Sequence, residues 1–410
     1  MTRKLLFLCQ NLPYPPDNGV KTRSFNTLRQ LANAFEITAL CFTRHKGSAG
    51  TLSVPRRVEA LSQYGPVEEF RIPQEDSKAR FVWDHLRSVL SRQVYTRYVY
   101  DSPAFCDRLE AQLNRSQFDV VHADSLDLAG YFRRLKAPIA CTHHDVQSLL
   151  LTRRAAHEKS PIVRWYARHQ AVLMRAEEEY WCPRVSLNVV VSDEDQRALD
   201  TIAPGSSWYV APNGVDTETF APLTTADHVG DGNTILFVGG ATWFPNLDGM
   251  EYFATSILPL IRKRRPEAQC VWVGRLGDSD SNRFSELGVR LIGYVDDVRP
   301  FLRTAACVVV PLRVGGGTRI KILDAWAMGK SIVSTSIGCE GLLARDGENL
   351  LVRDDPVEFA ESVAMLLADP NTRLRMGQAA RQTAVDSYSW DTIGEGLRQA
   401  YLALAQGPLS

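Results

Sequence analysis

Residues 307–342, CVVVPLRVGGGTRIKILDAWAMGKSIVSTSIGCEGL, contain a complete strand, turn, helix and strand. The apolar run 308–312 predicts a strand buried on both faces, as in a parallel sheet covered by helices. Three glycines follow at 315–317, and apolar residues then recur at helical spacing until Gly329 ends the helix. The β-branched run 332–335 predicts the next strand. This pattern is typical of an α/β fold with a parallel sheet.

Positive charge surrounds the start of the predicted helix. A glycine-rich turn before a helix exposes backbone N–H groups at the positive end of the dipole, which suits a phosphate. Arg319 and Lys321 add two cations that oppose this dipole, so an anionic partner would stabilise them. A solvated basic turn is the alternative, and the glycines alone do not decide between the two. Asp324, one turn later, favours a nucleotide, with cations for the diphosphate and a carboxylate for the ribose hydroxyls.

The same stretch resembles the donor-sugar motif of glycosyltransferase family 4. In that family a glycine-rich turn leads into a helix with the pattern L-E-A-M-A-x-G-x-P-V-V, and residues 323–333 here are LDAWAMGKSIV. The family consists of retaining enzymes of the GT-B fold. The resemblance therefore implies two doubly wound, Rossmann-like α/β domains facing an interdomain cleft. One departure is clear. Of two family glutamates eight positions apart, Asp324 takes the second place and Gly316 the first.

The composition sets limits on the class of protein. A chain of 410 residues is long enough for two domains. Lys plus Arg and Asp plus Glu are both 47, so the chain lacks the overall basic excess that would indicate nucleic-acid binding. The eight cysteines form no C-x-x-C pair, which predicts buried free thiols in a reducing compartment. With no signal-like N-terminus and no apolar stretch near ~20 residues, we expect a cytoplasmic protein.

The order of elements predicts the domain boundaries. Strands are expected at 5–9, 37–42, 67–72, 119–122, 138–142 and 187–191, with helices between them, which indicates a mostly parallel sheet. The polar segment 221–233 is the predicted linker between a domain of residues 1–220 and one of residues 234–387. Residues 388–410 predict a terminal helix that, in GT-B proteins, often crosses back to the first domain.

Two places in the first half are candidate sites. Gly19 lies in the loop after the first strand, where a turn glycine is the commoner interpretation, but the family has a glycine here that approaches the donor diphosphate. His143 and His144 end a strand, and their side chains should point in different directions. The resemblance favours His144 as the residue facing the transferred sugar. His122 ranks below it, and the aspartates at 124 and 127 are interpreted as loop or acceptor-side groups.

The candidate donor site lies in the second half. The turn after strand 234–238 lacks G-x-G-x-x-G, which disfavours a nicotinamide or flavin enzyme. The family often carries an Arg and a Lys near this turn, where this chain has Ala241 and Pro245. We expect Arg319 and Lys321 to supply the missing charge, with Arg275 as a helper. Gly239 and Gly240 in this turn are further candidate donor-binding residues. We expect Gly317 at the diphosphate, Asp324 at the ribose, and backbone N–H groups of Gly316 and Gly317 near the sugar. The resemblance implies that the base lies near Tyr294 and Val295.

Two other segments have more than one interpretation. Residues 78–100 are basic, aromatic and amphipathic, so they could rest on an anionic membrane surface or form a helix docked on its own domain, the commoner case. Residues 148–181 predict one long helix that ends near three glutamates, 177–179. Consecutive acids point in different directions around a helix, so we interpret them as a solvated surface.

Together these features predict a glycosyltransferase that moves a sugar from a UDP- or GDP-sugar to a glycan or lipid-linked acceptor with retention. The resemblance places it in exopolysaccharide or cell-envelope glycan synthesis, at the cytoplasmic face of the inner membrane through residues 78–100. No cofactor and no metal are expected, because side-chain cations and helix dipoles can stabilise the leaving diphosphate. A GT-B nucleotide-sugar epimerase, which needs no acceptor, is one alternative. A catalytically degenerate partner subunit is the other, supported by the missing glutamate and the missing basic pair.

Overall fold

The computed structural model describes residues 3–44, 53–158, 160–241, 243–315 and 319–406. The chain divides into two compact units, one of Met1–Pro212 with Ile393–Ser410 and one of Asn213–Thr392. The division after Pro212 comes earlier than the predicted linker at 221–233. That segment carries a short helix, Thr225–Val229, within the second unit. His228 Nδ1 lies 3.1 Å from the Gly329 carbonyl oxygen, so polar groups of this segment bind the second unit.

The first unit is built on a seven-stranded sheet in which every neighbouring pair is parallel. Its strands are β1 Arg3–Cys9, β2 Phe35–Thr43, β3 Val67–Arg71, β4 Val120–Ala123, β5 Ile139–Thr142, β6 Leu187–Val190 and β7 Trp208–Val210. The spatial order β3-β2-β1-β4-β5-β6-β7 is that of a doubly wound fold, whose ligands bind outside the carboxyl ends of the strands.

Eight helices belong to this unit before the division after Pro212, within the described part of the chain. They are α1 Gly19–Leu31, α2 Val54–Leu61, α3 Lys78–Ser91, α4 Thr96–Val99, α5 Pro103–Arg115, α6 Gln147–His157, α7 Pro161–Trp181 and α8 Asp193–Ile202. The predicted long helix over 148–181 is therefore two helices. Ser160 caps the second, and Pro161 at its first position has no N–H with which to continue the helix before it.

The second unit has a six-stranded parallel sheet. Its strands are β8 Thr234–Val238, β9 Gln269–Val273, β10 Val289–Gly293, β11 Cys307–Val310, β12 Ile332–Ser334 and β13 Leu351–Val352. Their order, β10-β9-β8-β11-β12-β13, is the Rossmann order with β8 as its first strand. The two doubly wound α/β sheets confirm the predicted fold class.

The helices from Thr225 onward follow in chain order. They are α9 Thr225–Val229, α10 Phe244–Tyr252, α11 Leu258–Arg264, α12 Asp278–Glu286, α13 Arg299–Thr304, α14 Ile320–Ala327, α15 Pro356–Ala368, α16 Pro370–Tyr388 and α17 Trp390–Leu404. From Ile393 onward α17 belongs to the first unit, where the Tyr401 hydroxyl lies 2.7 Å from His122 Nδ1. The motif stretch supplies β11, α14 and β12, and the Trp326 indole donates to the Asn349 carbonyl oxygen inside the core (3.0 Å).

The predicted solvated surface at 177–179 is wrong for two of its three acids. Glu178 is buried and accepts hydrogen bonds from the Ser148 backbone N–H (3.1 Å) and hydroxyl (2.5 Å). Glu177 pairs with Arg97 at 3.0 Å. Partners distant in sequence bind both acids and bury Glu178, which local helix geometry could not indicate. All eight cysteines are free thiols, and all but Cys106 are buried, as the sequence predicts.

Candidate functional site

A buried carboxylate organises the polar residues at the ends of β1, β4 and β5. Asp124 directly follows β4, is fully buried, and accepts a hydrogen bond from the Ser24 hydroxyl of α1, with Oγ 2.7 and 2.9 Å from its two oxygens. The Cys9 thiol donates to it at 3.3 Å. Nε2 of His144 lies 3.5 Å from Asp124 Oδ1, and Nε2 of His122 lies 3.8 Å from the same oxygen. We call these five residues the Asp124 cluster.

The two adjacent histidines have different surroundings. His143 Nε2 contacts Asn188 Oδ1 at 2.9 Å, and burial lowers the pKa of His143 to about 4. His143 is therefore a neutral residue of the interior. His144 instead reaches the Asp124 carboxylate, and 9% of its side chain remains exposed. Of the two, His144 is the one that can meet both a carboxylate and a ligand.

The electrostatics keep Asp124 ionised. Burial raises the pKa of this carboxyl group, but the nearby imidazoles of His144 and His122 outweigh that effect and hold it below its ordinary value. Burial lowers the pKa of His122. Arg23, also from α1, is buried and donates to the Ala211 carbonyl oxygen at 2.7 Å. Burial lowers its pKa to about 10, and the charge of Asp124 opposes that shift.

Sequence reasoning ranked Asp124 too low and did not select Arg23 or Ser24. The available signal for Asp124 was its position directly after a fully buried strand, where ligand-binding residues of α/β folds collect. Nothing in the local sequence marks Arg23 or Ser24, since both act through contacts with residues about 100 or more positions away. Gly19 is exposed and begins α1, the helix that carries both.

In the second unit, Lys321 reaches back to the turn that follows β8. Its Nζ donates to Asn246 Oδ1 at 2.5 Å and lies 4.3 Å from the centre of the Phe237 ring. A Cβ atom added to Gly239 would lie only 2.9 Å from this Nζ and 2.6 Å from Asn246 Nδ2. Asn246 in turn donates to the Gly240 carbonyl oxygen at 2.9 Å. Lys321, Asn246, Gly239 and Gly240 form what we call the Lys321 cluster.

Close backbone approach joins this turn to the next one. The Trp272 indole donates to the Gly239 carbonyl oxygen at 2.6 Å, and a Cβ on Gly274 would meet that same oxygen at 2.1 Å. The Ala241 N–H donates to the Arg275 carbonyl oxygen at 2.8 Å. Because Gly274 has no side chain, the turn after β9 can pack directly against the turn after β8, and the two turns form one surface.

Burial shifts both charged groups of α14 toward neutrality. It lowers the pKa of Lys321 to about 7, with a further contribution from Arg319, and raises the pKa of Asp324 to about 7. Arg319 is itself buried immediately before α14, and its Nη2 lies 3.4 Å from the Ile337 carbonyl oxygen. The structure thus brings Lys321 to the turn that lacks the family's basic pair, while Arg319 lies against the 3₁₀ turn Ile337–Cys339. Gly316 and Gly317 lie outside the described residues.

The remaining predicted donor residues follow β9 and β10. Arg275 is exposed, with its guanidinium carbon 5.2 Å from the centre of the Tyr294 ring. Tyr294 is about half exposed, and Val295 packs against the second unit's core. Within the described ranges, no group of three or more His, Cys, Asp or Glu side chains could hold a metal ion.

Helix α3 presents its side chains in an unexpected orientation. Its buried residues are polar, Asp84 and Ser88, and Gln170 of α7 donates to the Ser88 hydroxyl at 2.8 Å. Its large apolar residues are exposed instead, and α7 exposes others beside its contact with α3. The exposed residues are Phe81, Val82, Trp83, Leu86 and Leu90 on α3, and Ile162, Val163, Trp165 and Val172 on α7. We call them the α3–α7 surface.

Helix α3 is docked on its own domain, the commoner interpretation of residues 78–100, but not through its apolar face, which an amphipathic helix is expected to bury. Leu90 is 77% exposed and Asp84 only 2% exposed, the reverse of that expectation. The two helices meet through polar contacts, including His85 Nδ1, which lies 2.5 Å from the Tyr166 hydroxyl. None of the helices that the structure describes combines the length and the apolar character needed to cross a membrane.

Comparisons with known proteins agree with this architecture. Residues 17–219 match the family model "Glycosyltransferase Family 4", and residues 232–369 match the model "Glycosyl transferases group 1". The phosphatidyl-myo-inositol mannosyltransferase of Mycobacterium tuberculosis is 27% identical over 322 residues, which cover 74% of this chain and 78% of that protein. The lipopolysaccharide core biosynthesis glycosyltransferase LpsE of Rhizobium meliloti is 36% identical over 118 residues, 28% of this chain and 33% of its own.

Solved structures share the fold at low sequence identity. The crystal structure of Anabaena Alr3699/HepE in complex with UDP superposes with a TM-score of 0.66 at 15% identity, covering 98% of this chain and 100% of that one. Sucrose-phosphate synthase from Thermosynechococcus elongatus gives 0.70 at 16% identity, covering 98% and 99%.

Proposed function

The chain belongs to the GT-B glycosyltransferases, and from this premise we propose that it transfers a sugar from a UDP- or GDP-sugar to a hydroxyl of a glycan or lipid-linked acceptor. We propose retention of the anomeric configuration and a role in exopolysaccharide or other cell-envelope glycan synthesis. The relatives named for lipopolysaccharide core and phosphatidyl-myo-inositol mannosylation support an envelope setting. The neighbouring structure that holds UDP supports a nucleotide donor.

The observation that carries the donor proposal is the position of Lys321. Its ammonium group lies beside the glycine turn after β8, where it contacts one amide oxygen and one aromatic ring. A diphosphate placed there would neutralise a partly buried cation, and charge-assisted hydrogen bonds of this kind are the strong ones. Asp324, on the same helix, would accept from the ribose hydroxyls, as a carboxylate commonly does in nucleotide sites.

The proposed chemistry needs charge stabilisation on the leaving group. As the bond to the sugar breaks, negative charge develops on the diphosphate, and Lys321 with Arg319 would stabilise it in place of a metal ion. His144 would orient the transferred sugar. The acceptor hydroxyl supplies the attacking oxygen, and its proton leaves with the diphosphate or with solvent. The reaction needs no cofactor beyond the donor itself.

The α3–α7 surface supports a membrane-bound setting. Exposed Trp, Phe, Leu and Ile side chains on two adjoining helices are costly in water, and Lys78, Arg80 and Arg87 lie on the same helix as the apolar residues. Such a helix is suited to an anionic lipid surface, where each nearby Lys or Arg contributes about 1 kcal/mol. We propose that this surface rests on the cytoplasmic face of the inner membrane, beside a lipid-linked acceptor.

Vesicle sedimentation tests the membrane proposal. The wild type should sediment with vesicles containing phosphatidylglycerol and much less with neutral phosphatidylcholine. The double variant Leu86→Ser with Leu90→Ser should bind at least about tenfold more weakly, since each exposed leucine is worth more than ~1 kcal/mol in an apolar phase. Leu223→Ser, which alters an equally exposed leucine in the second unit, is the matched control and should bind as the wild type does. Equal binding of all three proteins would refute a lipid contact at this surface.

Turnover of a panel of UDP- and GDP-sugars, with and without acceptor, tests the transferase itself. We expect free nucleoside diphosphate to appear when a lipid-linked or glycan acceptor is present, with the anomeric proton of the product keeping the donor's configuration by NMR. Conversion of the sugar without an acceptor would establish the epimerase instead. No turnover of any donor by folded protein would favour the degenerate partner subunit.

A further inference from the structure

We propose that Asp124 is the positioning residue of the first unit's site, holding His144 with its proton on Nε2 and leaving Nδ1 for the substrate. Its catalytic consequence rests on the proposed transferase function. The tautomer of His144 does not, because it is a property of the folded chain. Four features of the molecule support it: the fixed carboxylate, the direction of His144, the different role of His122, and the residual exposure of the His144 ring.

The carboxylate is fixed from three directions. The Ser24 hydroxyl holds it from α1, and the Cys9 thiol holds it from the end of β1. The Asp124 backbone N–H donates to the Leu8 carbonyl oxygen at 2.9 Å, which continues the pairing of β4 with β1. A carboxylate held this firmly can set the orientation of a ring that packs against it.

The charge of the carboxylate selects the tautomer. An ionised carboxylate only accepts hydrogen bonds, so an imidazole nitrogen that faces it carries the proton. Nε2 of His144 is fully buried, 3.5 Å from Asp124 Oδ1, and has no hydrogen bond to any other described residue. The 9% exposure of this side chain therefore belongs to the rest of it, the part that includes Nδ1. A distance of 3.5 Å exceeds that of a hydrogen bond, but such contacts often shorten once the ligand is bound.

His122 approaches the same oxygen but is confined to the interior. Its ring stacks on Phe7 with centroids 4.2 Å apart, its Nδ1 contacts the Tyr401 hydroxyl of α17 at 2.7 Å, and its side chain is fully buried. This histidine links the terminal helix to the sheet and has no exposed atom for a substrate. Asp124 thus contacts one structural histidine, His122, and one that borders solvent, His144. Only for His144 can it set the tautomer and orientation of a ring that a substrate can reach.

Asp124→Asn changes this arrangement while keeping its shape. The Ser24 hydroxyl can still donate to the carboxamide oxygen, which turns the amide N–H groups toward His144. An N–H needs a lone pair opposite it, so the imidazole proton should move to Nδ1. The same exchange in a serine protease triad leaves the geometry intact and lowers kcat about 10⁴-fold through the wrong tautomer.

The experiment is long-range ¹H–¹⁵N NMR of the full chain labelled at histidine, with the His144 signal assigned from His144→Gln. We expect the wild type to show His144 protonated at Nε2 and Asp124→Asn to show it protonated at Nδ1. In steady-state assays the same variant should lose on the order of 10²–10⁴-fold in kcat with the donor KM nearly unchanged. Asp119→Asn is the matched control, because Asp119 precedes β4 at its opposite end and accepts from the Lys4 N–H at 2.7 Å. It should change neither the tautomer nor kcat.

A wild-type His144 protonated at Nδ1, or an Asp124→Asn variant that keeps the wild-type tautomer, would overturn the proposal. If Asp124→Asn fails to fold, Ser24→Ala gives the second test, since a carboxylate released by α1 should lower the fraction of Nε2–H tautomer. An unchanged fraction there would also overturn it. A protein that shows the expected tautomers but turns over no donor would refute the transferase function and leave the positioning role standing.

Discussion

The Asp124 cluster and the Lys321 cluster both lie at carboxyl ends of parallel strands, yet they hold buried charge in opposite ways. Donors from two strand ends and a helix surround Asp124, and its pKa lies below the ordinary value despite burial. The ammonium group of Lys321 contacts only one amide oxygen and one aromatic ring among the described residues, and burial lowers its pKa to about 7. The carboxylate of the first cluster has hydrogen-bond donors without a ligand. The second would gain from an anion.

The difference indicates which of the two charged groups stabilises the fold and which one lowers the stability of the unliganded protein. A buried charge with hydrogen-bonded partners supports the native state, and removing it leaves those partners unsatisfied. A buried cation without a carboxylate opposes folding, and it is retained where a ligand supplies the missing charge. Removing the charge of Asp124 and removing the charge of Lys321 should therefore change stability in opposite directions.

Asp124→Ala should give the largest effect. It removes a buried acceptor of the Ser24 hydroxyl and the Cys9 thiol, which keep the carbonyl oxygens of Val20 (2.8 Å) and Asn11 (2.9 Å) as acceptors. It also removes the carboxylate beside two imidazoles, so we expect a loss of about 3–5 kcal/mol in the free energy of unfolding, as for a broken buried network. Urea denaturation measures it. Asp119→Ala, just before the same strand and partly exposed, should lose no more than about 1 kcal/mol. Equal losses in the two variants would contradict the contrast.

Gly239→Ala should have an intermediate effect. Its Cβ would lie within 3 Å of Asn246 Nδ2 and Lys321 Nζ, so both side-chain ends must move. We expect a loss of about 1–2 kcal/mol, typical of mild overpacking, together with loss of any stabilisation by a nucleoside diphosphate. Thermal melts with and without ligand measure both. A variant that keeps the ligand effect would show that Lys321 acts without this turn.

Lys321→Met should give the smallest effect, with the opposite sign. The pKa of Lys321 is about 7 in the folded chain and ~10.4 when unfolded, so the folded state binds this proton less tightly. The resulting cost is fully present below pH 7 and disappears as the pH rises toward 10. We expect the variant to be more stable than the wild type by on the order of 1 kcal/mol at pH 6–7.

That advantage should shrink to nothing near pH 10, and melting temperatures across this range measure it. Asp324 provides the internal check, because its pKa of about 7 lies above the unfolded value. Its cost is present above pH 7 and lost as the pH falls toward 4, so Asp324→Asn should gain stability in that other window. A Lys321→Met advantage that does not depend on pH would contradict the assignment.

Periodicity was enough to predict the α/β class and the course of the motif stretch, because β11, α14 and β12 each carry their own local signal. The edge strand β7 was not predicted, since Trp208–Val210 is only three residues long and half-buried. For α3 the amphipathic pattern was visible, but a pattern does not reveal which side faces the domain. Asp124 and Glu178 are buried by partners far away in sequence, and no local rule identifies such contacts.

The central claim is that Lys321 binds the donor diphosphate at the glycine turn, and thermal stability with UDP, GDP, ADP and TDP tests it most directly. A ligand at a hundred times its Kd adds ~2.7 kcal/mol to the stability of the folded state. Arg313→Ala is the matched control, because Arg313 lies between β11 and α14, near Lys321 in the sequence, but pairs with Asp248 at 2.7 Å. We predict that one diphosphate stabilises the wild type and Arg313→Ala, but not Lys321→Ala. The claim would be contradicted if a diphosphate stabilised Lys321→Ala as much as the wild type. It would also be contradicted if none of the four diphosphates stabilised the wild type.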